Sequence, residues 1–311
     1  MSTERPFGRA LCAMITPFTA TGGLDLDVAR EHAAHLVSEG CDGVVLNGTT
    51  GESPTTTDAE KAALIQAVRE AVGPGPAVVA GVGTADTRHT VELAREAEKA
   101  GADGLLVVTP YYSRPPQAAV EAHFRKVADA TGLPVMLYDI PGRTGTRIEP
   151  ETMLRLADHP RIVAVKDCSY DLLGSAKVIA RTSLAYYSGC EELNLPLYAV
   201  GGAGYVSTVA NVAPRPLRAV LDAFDAGDTA GAARLNGLTL PLAELMMASG
   251  LPGAVTAKAL LGDFVREPLQ PADLETVDGL RAAYEDLVQS TTEVVPNSAA
   301  CSRTSSSGSS I

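Results

Sequence analysis

The chain has 311 residues, 46% of them apolar and 20% charged, with 25 Lys+Arg against 37 Asp+Glu and a formal net charge of −12. That is ordinary composition for a globular chain with a sizeable core, and an acidic balance without a basic cluster argues against nucleic acid or an anionic membrane as partner. No apolar run reaches the roughly 18 residues that span a bilayer, and MSTERPFGRALCAMITPF has no basic region ahead of a long apolar stretch, so the chain reads as cytoplasmic, without a signal peptide.

After an N-terminal segment (1–10), short apolar runs alternate with longer amphipathic stretches. The runs LCAMIT (11–16), GVVLN (43–47), AVVAG (77–81), GLLVVT (104–109), PVMLY (134–138), IVAVK (162–166), LAYYS (184–188) and GYVST (204–208) are continuous and rich in β-branched residues. Strands buried on both faces look like this. Helical patterns separate them, near 25–39, 58–72, 87–100, 117–131, 150–158, 170–181 and 192–200. In the first, Leu26, Ala29, Ala33, Leu36 and Val37 make one apolar stripe. Gly40, Gly73, Gly101 and Gly132 fall where helices should stop. Eight strands with intervening helices predict an α/β fold, a (β/α)₈ TIM barrel over 11–225. The competing doubly wound sheet would want a G-x-G-x-x-G after the first strand, which is missing. Helical patterns near 215–226, 228–248, 253–262 and 271–289 predict an appended C-terminal helical region, 226–289. The Ser-rich stretch 290–311 cannot bury a core and is expected to be a disordered tail.

The five cysteines, Cys12, Cys41, Cys168, Cys190 and Cys301, are odd in number and never in C-x-x-C, as expected of reduced thiols. His32 and His35 have no further ligand at metal-binding spacing, so no metal site is expected.

In such a barrel the active site forms at the C-terminal ends of the strands. Those ends carry Thr49 and Thr50 (strand two), Tyr111 and Tyr112 (four), Tyr138 and Arg143 (five), Lys166 (six), Ser188-Gly189 (seven) and Ser207-Thr208 (eight). Lys166 is the most informative. It is either a structural lysine paired with Asp167 or another carboxylate, or a Schiff-base nucleophile. An ordinary lysine is less than about 0.1% free amine at pH 7, and desolvation would have to lower its pKa to roughly 7–8 for it to attack a carbonyl. Tyr138 can bring a hydroxyl to it, and Thr50 with Tyr112 can complete a proton relay, although a tyrosine at a strand end also serves as a rim residue. Gly48-Thr49-Thr50-Gly51 offers backbone N–H groups as a seat for a small carboxylate, or is a plain turn. Arg143 either grips a second carboxylate or makes a surface salt bridge.

In order and spacing, AMITPF, NGTTGESPTTTDAEK, VVTPYYSRPPQ, LYDIPGRTG, VAVKD and SGCEELNLPLYAVGGAGYVSTVANVAP resemble the pyruvate-dependent class I aldolase/lyase family, and within it the dihydrodipicolinate synthases, over roughly residues 8–289. The resemblance implies a Schiff-base lyase of lysine and diaminopimelate biosynthesis. It would condense pyruvate with L-aspartate 4-semialdehyde to 4-hydroxy-tetrahydrodipicolinate, with no cofactor beyond the covalent imine. It further implies that Lys166 forms that imine, Tyr138 relays protons, and Thr49 and Thr50 hold the pyruvate carboxylate. Tyr112 would be inserted into a neighbouring subunit's site, and Arg143 would bind the carboxylate of the aldehyde. Gly189 and Val206 would contribute backbone, and the assembly would be a homotetramer, a dimer of dimers.

Departures matter too. Cys190 stands where most synthases have an acidic residue, and Asp139 replaces a more common Asn. Lysine-inhibited relatives carry histidines at Asp58 and Lys61 and a glutamate at His89, so the resemblance does not extend to lysine feedback. Two alternatives remain: a lyase for a 2-keto-3-deoxy sugar acid or sialic acid, which Arg143 disfavours, and a non-catalytic barrel, which the complete set of polar strand ends disfavours.

Overall fold

Eight parallel strands close into a barrel in chain order: β1 (Ala10–Ala13), β2 (Gly43–Leu46), β3 (Ala77–Gly81), β4 (Gly104–Val108), β5 (Val135–Asp139), β6 (Ile162–Asp167), β7 (Ala185–Ser188) and β8 (Gly204–Ser207). The last returns to the first, with Leu11 opposite Val206. This computed structural model describes residues 5–294. The eight expected strands and the seven helical stretches between them are present, with boundaries shifted by a few residues. β1 ends earlier than its apolar run because the Ile15 N–H is taken by the Asn211 side chain, at 3.0 Å, instead of a neighbouring strand.

Side chains alternate between two cores. Leu11, Val45, Val79, Leu106, Met136, Ala164, Ala185 and Val206 fill the barrel interior. Their neighbours Cys12, Val44, Val78, Leu105, Val135 and Val165 face outward into the larger core under the helices. Because this alternation has period two, one extra residue reverses every side chain beyond it. β6 contains such an irregularity: Val135 pairs with Ile162, but Met136 pairs with Ala164. Strict alternation from outward-facing Ile162 would turn Lys166 out of the barrel. The bulge turns it in, opposite Tyr138 on β5 and Tyr187 on β7.

The other end of the barrel is plugged by Phe7, which is buried in the interior cluster, and by Tyr187, whose hydroxyl donates to the Gly8 carbonyl at 2.9 Å. Beyond β8 come helices Pro214–Asp225, Thr229–Ala248, Gly253–Leu261 and Leu274–Val294. The last runs past residue 289, because Leu287 stays buried and the Thr291 hydroxyl donates back to its carbonyl at 2.7 Å. Residues 290–294 therefore continue the helix, and 295–311 of the expected tail lie outside the described residues. No single helix among the described residues is long and apolar enough to cross a membrane.

Candidate active site

Lys166 is 5% exposed and reaches into a cavity of about 220 Å³ at the C-terminal mouth of the barrel. Its Nζ lies 4.7 Å from the centroid of the Tyr138 ring. The pairing with Asp167 that would make it structural does not occur. Asp167 faces the other way and accepts hydrogen bonds from Ser169 N, at 2.7 Å, and from the Ser175 hydroxyl. Among the described residues the lysines in ion pairs are Lys99 and Lys258, which leaves the Lys166 amine to the cavity. Beside it, a side chain at position 189 would displace its neighbours. A Cβ there would sit 2.6 Å from Lys166 Cε and 2.4 Å from Cys168 Sγ.

Tyr138, Thr49, Thr50, Arg143 and Gly189 line the same cavity. Burial pushes the Tyr138 phenol well above its ordinary pKa, so it stays a neutral hydroxyl, with Thr49 acting in the opposite direction. The β2 loop turns sharply through left-handed Asn47 and Glu52 (φ 55° and 52°). Glu52 N donates to Thr49 O and Ser53 N to Gly48 O, at 3.1 and 3.2 Å, while the Thr49 and Thr50 N–H groups donate to no acceptor among the described residues. Arg143 sits on the short helical turn Pro141–Thr144. It is the neighbouring Arg147, not Arg143, that takes a carboxylate, that of Asp171, at 2.9 Å.

Two expected residues lie elsewhere. Tyr112 is 95% exposed, with φ 73°, and lines a second cavity of about 520 Å³ that shares the Thr49, Tyr138 and Arg143 wall. The Val206 side chain is fully buried in the barrel interior, below the Lys166 cavity, whose wall at this strand is formed by Thr208, two residues on. Asp58, Lys61 and His89 also line the second cavity, with His89 Nε2 2.9 Å from Asp58 Oδ2.

Sequence reasoning noted Thr208 at a strand end without assigning it. Its Oγ1 lies 2.9 Å from that of Thr50. Glu191, one of the two acids after Cys190, is 4% exposed and holds this strand end: it accepts from Ser207 Oγ (2.7 Å), Thr208 N (2.8 Å) and Val209 N (3.1 Å). It is a brace behind the cavity and not part of the mouth. Glu52 was also missed. It lines the cavity, and its carboxylate forms a fully buried ion pair with Lys258 at 2.6 Å and accepts from Arg266 N at 2.9 Å. Met247, Pro252, Gly253, Ala254, Pro268 and Leu269 complete the wall, so the C-terminal helical region roofs the site.

A sequence profile described as the Dihydrodipicolinate synthetase family matches residues 6–287. The 4-hydroxy-tetrahydrodipicolinate synthase 1 of Streptomyces coelicolor is 73% identical over 91% of this chain and 94% of its own length. The 4-hydroxy-tetrahydrodipicolinate synthase of Acidothermus cellulolyticus is 58% identical over 89% and 91%. Among solved structures, a lysine-bound enzyme from Cyanidioschyzon merolae superposes with a TM-score of 0.88 at 37% identity, over 92% of this chain and 99% of that one. A pyruvate complex of the chloride-inhibited dihydrodipicolinate synthase from Acinetobacter baumannii gives 0.86 at 30% identity, over 91% and 99%. Barrel and sequence both match over most of the chain, and it belongs to the dihydrodipicolinate synthetase family.

Proposed function

We propose that the chain condenses pyruvate with L-aspartate 4-semialdehyde to 4-hydroxy-tetrahydrodipicolinate, through an imine on Lys166. The observation that carries this is a buried lysine, free of a carboxylate partner, facing a tyrosine in a small cavity. The amine attacks the pyruvate ketone and water leaves. The imine withdraws electrons from the methyl carbon, which loses a proton to give the enamine. That carbon attacks the aldehyde, the amino group of the second substrate displaces Lys166 from the imine carbon, and the ring closes. The lysine supplies the electron sink, so the chemistry proposed uses no separate cofactor.

Supporting roles follow from position. The unsatisfied N–H groups of Thr49 and Thr50 seat the pyruvate carboxylate, as fixed donors do for anions. Tyr138, kept neutral by burial, moves protons at the imine, with Thr50, Thr208 and Tyr112 as the hydroxyl chain to solvent. Arg143 binds the carboxylate of the aldehyde. Tyr112, exposed in one chain, enters the site of a second copy, in keeping with a homotetramer built as a dimer of dimers. Gly189 leaves room for the lysine stem, and the Val206 backbone supports the floor. The relatives' printed names and the pyruvate held by the Acinetobacter structure support the same substrates.

A steady-state assay with pyruvate and a panel of aldehydes tests this reading. Turnover should be fastest with aspartate 4-semialdehyde. A polyol aldehyde used faster than the carboxylated one would move the chain to sugar-acid chemistry.

A further inference from the structure

Two thiols stand at the mouth with no part in the reaction above. Cys168 follows β6 directly, and Cys190 follows β7. The strands are adjacent, with Asp167 opposite Ser188, so the two side chains project into the same interior cluster. They are near enough for each to shift the other's titration. Gly189 lies between them and keeps the space open; a Cβ there would press on Cys168 Sγ at 2.4 Å. Cys168 lines the Lys166 cavity, and its sulfur is 4.0 Å from the Tyr138 hydroxyl. Cys190 is as buried as Cys168, at 7% exposed, and neighbours Tyr170, which is 65% exposed and donates to Glu192 at 2.9 Å. The pair therefore runs from the cavity wall to the base of a surface tyrosine.

We propose that Cys168 and Cys190 form a reversible disulfide under hydroperoxide, and that this bond switches the active site off. The Cys168 thiolate attacks the peroxide, the O–O bond breaks, and a sulfenic acid forms as water or an alcohol leaves. Cys190 then attacks that sulfur, the S–S bond forms, and a second water leaves. The two thiols supply two electrons and the hydroperoxide accepts both. Cys168 suits the first step. The neighbouring Cys190 holds the Cys168 thiol below the usual range against the opposing effect of burial, and Lys166 acts in the same direction. Closing the bond draws Cys168 Sγ from the Tyr138 hydroxyl and over Gly189, against which Lys166 Cε is packed. The lysine loses the geometry that imine formation needs. Cys12 and Cys41 face the outer core, where burial pushes both thiols up, Cys41 to about 12, so they serve as internal controls.

The test is treatment of the full chain with hydrogen peroxide, followed by peptide mass mapping without reduction and by activity before and after dithiothreitol. A cross-link between the Cys168 and Cys190 peptides is expected, with a fall in activity of at least tenfold that dithiothreitol reverses. Cys190→Ser and Cys168→Ala, each scored against its own starting rate, should lose the reversible component. The cross-link is read without substrate, so its failure is distinguishable from failure of the imine reading. Unlinked thiols at full peroxide consumption, a stable sulfinic acid on Cys168, or equal reversible loss in both variants would overturn the proposal and leave the pair as small apolar packing residues.

Discussion

At the residue scale, Lys166, Gly189 and Arg143 do different work. Adding one methyl at position 189 forces Cε of the lysine to move from contact at 2.6 Å. A displacement near 1 Å can cost about 100-fold in rate, so Gly189→Ala is expected to lower kcat by roughly that factor while the protein stays folded. An unchanged kcat would show that the lysine has room to spare. Arg143→Ala should raise KM for the aldehyde and leave that for pyruvate nearly unchanged; the reverse pattern would reassign the arginine. Lys166 was legible in the sequence as a charge ending an apolar run, but only the structure removes the alternative of a pairing with Asp167. Thr208 was legible only as a strand end, since its role depends on the Thr50 hydroxyl 2.9 Å away, and that contact joins opposite ends of the barrel sequence.

At the scale of elements, the β6 bulge and the β2 loop decide where the chemistry points. IVAVK looks like a regular strand, so the extra residue that turns Lys166 inward leaves no mark in the sequence. The loop is held by Glu52, whose partner Lys258 comes from the C-terminal helices, a pairing no local pattern announces. Removing one member of a buried pair costs about 3–5 kcal/mol. Glu52→Gln should therefore lower the melting temperature and raise KM for pyruvate through the loosened Thr49-Thr50 seat; a change in melting temperature alone would reduce the pair to a stability role. On the outer face of β5, burial pushes the Asp139 carboxyl up to about 7, while Ile148 N donates to it at 3.0 Å. A raised folded-state value means that the folded chain holds its proton where the unfolded chain has released it. Stability is then lost as pH rises from the unfolded value through 7. Asp139→Asn removes that loss, so the variant should melt higher than the parent at pH 8 and close to it at pH 4. A gap that is constant with pH would contradict a buried, neutral Asp139.

At the scale of the whole molecule, the barrel was legible because parallel strands buried on both faces write continuous apolar runs, and eight of them alternate with helices. The separate C-terminal region was legible as helices, but its part in roofing the cavity was not. Met247, Pro252 and Leu269 are apolar residues whose place is set only by tertiary packing. Tyr112 extends the account beyond one chain. An aromatic ring that is 95% exposed on a left-handed backbone has no intramolecular reason to be there. If the proposed assembly forms, Tyr112→Phe should lower kcat while leaving the sedimentation coefficient as in the parent; a neutral rate would confine it to packing. The second cavity carries the Lys61 ammonium and the His89–Asp58 pair, a poor seat for the cationic side chain of free lysine. Millimolar lysine should leave the rate unchanged, and strong inhibition would contradict that charge argument.

The central claim is that Lys166 forms a covalent imine with pyruvate, and borohydride reduction tests it most directly. With pyruvate present, peptide mapping should place one reduced adduct on Lys166, and Lys166→Ala should carry none and turn over no substrate. An adduct on any other lysine, or an equal yield in the variant, would contradict the account.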